Sequence, residues 1–123
     1  MRVLVGGLMA LGLVVFWEVC MNAEERRQFF REAFRSGIRN YRYYYCQRDS
    51  AEEVADYLRG VRRRYRRFGW RRCPDPLERA EVFTAGFLRG ILAGRHALGR
   101  GDDNRRFGRA VWRLLHQWEE ADQ

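Results

Sequence analysis

The side chains in this sequence with chemical potential are two histidines, three cysteines, a run of tyrosines and 24 arginines. His96 and His116 stand far apart, and neither has a Cys or carboxylate cluster at ligand spacing, so no metal site is expected. Cys20, Cys46 and Cys73 form neither a C-x-x-C pair nor an even disulfide framework, which suits a reducing compartment. No Ser-His-Asp or Cys-His grouping offers a nucleophile and its base. Gly99–Asn104, GRGDDN, lacks the Lys-Ser/Thr of a phosphate-binding loop. No catalytic, cofactor-binding or metal-binding residue is therefore assigned, and an enzyme is not expected.

What remains is recognition by arginine. The chain has 123 residues, room for one small domain. All 24 basic residues are Arg and none is Lys, against 16 acids, for a formal charge of +8. A GC-rich genome would explain the missing Lys without any function. The consequence is physical all the same, because a guanidinium keeps its charge when partly buried and forks onto carboxylate or phosphate. Residues 24–73 hold 15 Arg and 7 acids, so the whole excess lies there. It peaks at Arg59–Cys73, RGVRRRYRRFGWRRC, which includes Arg62, Arg63, Arg64, Arg66 and Arg67 and has no acid. Such a block is either solvated or faces anionic lipid, nucleic acid or an acidic protein. Tyr41, Tyr43, Tyr44 and Tyr45, among Arg39, Arg42 and Arg48, could stack bases as single-strand binders do. Helical spacing assigns two of them to an apolar stripe instead, so nucleic acid is not the favoured partner.

The elements that position these groups begin with an oily end. Val3–Trp17, VLVGGLMALGLVVFW, is uncharged, and after Glu18 the apolar run continues to Met21. Read as helix through Met21 it is roughly 28 Å long, close to the ~30 Å bilayer core. A signal peptide would need a small-x-small cleavage site, which VCMNA lacks. Residues 1–23 are therefore expected to be a retained transmembrane helix, with Val3, Leu8 and Leu13 in the span and Trp17 and Glu18 at an interface. A buried core helix is the competing reading. Gly6, Gly7, Ala10 and Gly12 leave part of it small-sided, open to another helix. One Arg precedes the run, and Arg26, Arg27, Arg31, Arg35 and Arg39 follow, so the C-terminal side is placed in the cytoplasm or the mitochondrial matrix.

Residues 24–123 read as an all-α, Arg-rich bundle of three to four helices, at about 24–46, 51–68, 76–98 and 103–120. Phe30, Phe34, Ile38, Tyr41 and Tyr45 form the first stripe, on a stem continuing from the span and loosened near Ser36–Gly37. Ser50 with Glu53 is a capping box, Val54, Leu58, Val61, Tyr65 and Phe68 follow it, and Gly69 is the expected stop. Asp75-Pro76 opens the next helix and Gly99 ends it. The last helix carries Phe107, Val111, Leu114 and Trp118. Gly86, Gly90 and Gly94 recur at four-residue steps, each costing about 1 kcal/mol against Ala in a helix. Close approach of another helix, from this chain or a partner, must compensate.

Phe29-Phe30-Arg31 followed by Phe34-Arg35, then Val61–Phe68 and Asp75-Pro76, resembles the order of motifs in the LYR-motif family of small mitochondrial matrix proteins. Phe29 and Phe30 stand where that family has Leu and Tyr, and the resemblance covers about residues 26–98. It implies a three-helix bundle that docks acyl carrier protein and serves respiratory complexes as an accessory subunit or assembly factor. Arg31, Arg35 and the Arg62–Arg67 block would then meet the acidic partner.

The expected function is a non-catalytic, single-span accessory subunit of a mitochondrial inner-membrane respiratory complex. Its domain would lie on the matrix side, among other subunits and membrane lipid. The alternatives are an acyl-carrier-protein-binding module or assembly factor, and a basic RNA-facing mitoribosomal protein.

Overall fold

The computed structural model describes residues 21–72 and 76–122, with the backbone alone at 66–72, 76 and 122. The described residues form an all-α bundle of four helices with no strand: α1 (Ala23–Tyr43), α2 (Ala51–Arg72), α3 (Pro76–Ala97) and α4 (Asn104–Asp122). Single 3-10 turns at Tyr45–Gln47 and Gly101–Asp103 join α1 to α2 and α3 to α4. Among the described residues no helix is long and apolar enough to cross a membrane. The expected span, with Val3, Leu8, Leu13, Trp17 and Glu18, lies outside the described residues.

α1 starts afresh and is not the run-on of a preceding helix. Asn22 is extended at φ −75°, ψ 170°, and its side chain accepts the Glu25 N–H at 2.8 Å. Its amide in turn donates to the Glu25 carboxylate at 2.7 Å. This reciprocal cap satisfies otherwise orphaned groups and fixes a helix start. The Asn22-Ala-Glu-Glu25 run carried that signal in the sequence.

Two further boundaries differ from expectation or refine it. Gly69 does not stop α2, which runs to Arg72. The arginines around it are good helix formers, and the first proline beyond them is Pro74. Gly99 does stop α3, at φ +76°, where a Cβ would be strained. Ser50 caps α2 by accepting the Glu53 N–H at 3.4 Å, but the Glu53 carboxylate lies 3.9 Å from Arg48 rather than closing the box.

α3 is the central helix. Facing residues give its register: Gly86 meets Phe30, Gly90 meets Phe34 and Gly94 meets Tyr41, so α1 and α3 run parallel. On another face Phe87 packs against Tyr57 and Phe83 against Tyr65, so α2 runs antiparallel to α3. The core joins Tyr41, Tyr45, Val54, Leu58, Phe87, Ile91, Phe107, Val111 and Leu115.

The glycine stripe is spent inside this chain. A Cβ on Gly90 would lie 2.2 Å from the Phe34 carbonyl oxygen, and one on Gly37 would lie 2.2 Å from the Phe87 carbonyl oxygen. The two backbones thus approach through Gly37 and Gly90, each glycine aimed at the other helix's carbonyl. Gly86 and Gly94 would likewise strike Phe30 and Tyr41. So Gly86, Gly90 and Gly94 face α1 and are not open to a partner, and Gly37 is a packing position in an unbroken helix.

Candidate docking face

Close packing at Ala33 and Gly37 turns α1 about its axis relative to the expected stripe. The small residues Ala33 and Gly37 face α3, with Tyr41 buried beyond them, while Phe30, Phe34 and Ile38 are left half-buried along one edge. Beside that edge run Arg27, Arg31, Arg35 and Arg39, also at four-residue steps and all exposed. Side chains four apart on a helix are neighbours, so an apolar ladder and a guanidinium ladder lie side by side. Arg26, Arg27, Phe30, Arg31 and Phe34 enclose an open groove of about 550 Å³.

The rim charges are not equivalent. Arg26 donates to Glu78 of α3 through Nε at 3.0 Å, and also through its Nη2. Arg27 donates to Glu24 at 2.7 Å and holds that carboxyl below its ordinary range. Arg31, Arg35 and Arg39 make no hydrogen bond or ion pair with any described residue.

The Arg62–Arg67 block is divided by the helix period. Arg62, expected at a partner surface, is buried: it donates to Glu81 of α3 at 2.6 Å, to Thr84 Oγ1 at 3.2 Å and to Glu119 of α4. Burial disfavours its charge, but the Glu81 and Glu119 carboxylates outweigh this and hold the guanidinium ionised. Its register on α2 points it at the meeting of three helices. Arg63 and Arg64 are exposed, and the side chains of Arg66 and Arg67 lie outside the described residues.

Arg95 is a second inward arginine that composition alone does not single out. Only 3% of it is exposed. It forks onto Asp49 at 2.9 and 2.9 Å, reaches Asp103 at 2.7 Å and Asn104 at 2.6 Å, and lies 4.1 Å over the Phe107 ring. The Asp49 contact, with help from Asp103, raises its pKa further, so it is a permanent cation tying both 3-10 connections to α3. Asp103 and Asn104 of GRGDDN thus serve an internal clamp.

A second cleft, about 760 Å³, lies between the α1–α2 turn, α2 and Trp118. Its carboxylates Glu52 and Glu53 belong to the first turn of α2, where the helix dipole favours acids whether or not a ligand binds. Tyr41 and Tyr45 are core residues, and burial pushes the Tyr45 hydroxyl up to about 12; Tyr43 and Tyr44 are exposed. His96 and His116 are exposed on separate helices, with the His116 ring 4.8 Å from Trp112. Among the described residues no group of three or more His, Cys, Asp or Glu could hold a metal ion. No family model, curated protein or solved structure matches the chain.

Proposed function

We propose that the chain is a non-catalytic, single-span accessory subunit of a mitochondrial inner-membrane respiratory complex, with the helical bundle on the matrix side. The observation that carries this reading is the division of labour among the arginines. Arg62 and Arg95 are saturated by carboxylates inside the chain, whereas Arg31, Arg35 and Arg39 present unpaired charge beside half-buried aromatics. An interior held by paired arginines, with one outward amphipathic face beside the expected anchor, suits a part held at the membrane of a larger assembly. The apolar run Val3–Met21 supplies the anchor, and the arginines that follow it supply the orientation. Purification of the tagged chain from mild-detergent extracts tests the proposal. Respiratory-complex subunits should come down with it in near-stoichiometric amounts; recovery of the chain alone would defeat it.

A second reading is an acyl-carrier-protein-binding module or assembly factor, favoured by unpaired Arg31 at the rim of an apolar groove. Co-purification of acyl carrier protein that is lost on Arg31→Ala would support it over the first.

A further inference from the structure

We propose that the outer face of α1 lies on an anionic phospholipid surface, with Arg31 and Arg35 holding lipid phosphates and Phe30, Phe34 and Ile38 set among the upper acyl chains. This rests on the reading of the N-terminal run as a membrane anchor. Three observations lead to it. The first is the pairing of ladders: three half-buried apolar side chains and three exposed guanidiniums without a described partner run in parallel along one helix. Amphipathic helices that lie in the membrane interface have this pattern, and arginine forks onto phosphate.

The second is the cap at Asn22. An extended, side-chain-capped residue separates α1 from the chain before it. α1 therefore begins at its own cap just after the apolar run of the sequence, which sets its first turns beside the expected anchor.

The third is size. The groove spans Arg26–Phe34, roughly 12 Å of helix, and among the described residues it is lined by α1. A stable protein interface buries on the order of 1,200 Å² or more in total, far beyond one such groove. A headgroup with the start of its chains is of the right scale. Net positive charge supplies the complementarity, since residues 24–73 carry the entire excess of the molecule.

The test uses the full chain in mild detergent, with retained lipid counted by native mass spectrometry. Phosphatidylglycerol and phosphatidylcholine are offered at equal concentration. The unaltered chain should retain phosphatidylglycerol preferentially. The Arg31→Gln/Arg35→Gln variant should lose roughly thirtyfold of that preference, the equivalent of about 1 kcal/mol per arginine at a lipid surface. Arg109→Gln/Arg113→Gln, which removes the same charge from the exposed side of α4, should keep it. Equal loss in both variants would mean diffuse charge attraction and overturn the proposal. So would unchanged lipid retention on Arg31→Gln/Arg35→Gln with loss of an acidic protein partner. Carbonate extraction of native membranes separates the underlying reading: release of the chain rejects the anchor, while retention without lipid preference rejects only the face.

Discussion

At the scale of single residues, the arginines fall into those that hold the fold and those that face outward. Arg95 is the clearest of the first kind. Arg95→Lys keeps the charge but cannot fork onto Asp49 while reaching Asp103, and a loss of about 2 kcal/mol is expected in urea unfolding. Arg95→Met, which leaves the carboxylates without their cation, should cost about 3 kcal/mol. The same clamp sets an acid limit. Arg95 holds the Asp103 carboxyl below its ordinary value of 3.8, so its contribution is complete above that pH and is lost as pH falls through the lower, folded value. The stability gap between the unaltered chain and Asp103→Asn should be constant near neutrality and close as the solution is acidified below 3.8. None of this was legible in the Arg count. Which arginine turns inward depends on where Asp49, Glu81, Asp103 and Glu119 arrive from other elements, and composition shows only their sum. Arg31 and Arg35, by contrast, entered as partner candidates through the resemblance of Phe29–Arg35 to a family motif, and both are exposed.

At the scale of elements, periodicity and capping carried most of the information. The stripes Val54-Leu58-Val61 and Phe107-Val111 are buried as their spacing implies, and Gly99 ends α3. The exception is α1, where a strong aromatic stripe was displaced by Ala33 and Gly37. Hydrophobicity ranks Phe above Gly, but the closest helix contact is set by what has no side chain. The paired test is a glycine swap. Gly90→Ala places a methyl 2.2 Å from a backbone oxygen that cannot step aside, and about 3 kcal/mol of stability should be lost. Gly60→Ala, in the interior of α2 with nothing within 4 Å, should raise stability by about 1 kcal/mol. Chemical denaturation of the two variants measures both, and equal effects would refute the close α1–α3 contact.

At the scale of the whole molecule, the sequence divides into an apolar run and a polar, Arg-rich bundle. The bundle stands as four helices with α3 at its centre, held by an aromatic core and two inward arginines. Fold class was legible because each helix carries its own period and caps. The surface that a partner would use was less so, because it depends on how far α1 is rotated by its contact with α3, a property of two helices together. We propose that this bundle, anchored by its N-terminal run, presents one amphipathic face as part of a larger membrane assembly. Native gel separation of mild-detergent extracts, probed for the tagged chain, tests that most directly. A subunit of such an assembly migrates with a respiratory band near the megadalton range; migration of the chain by itself, near the mass of its own detergent micelle, would rule that membership out.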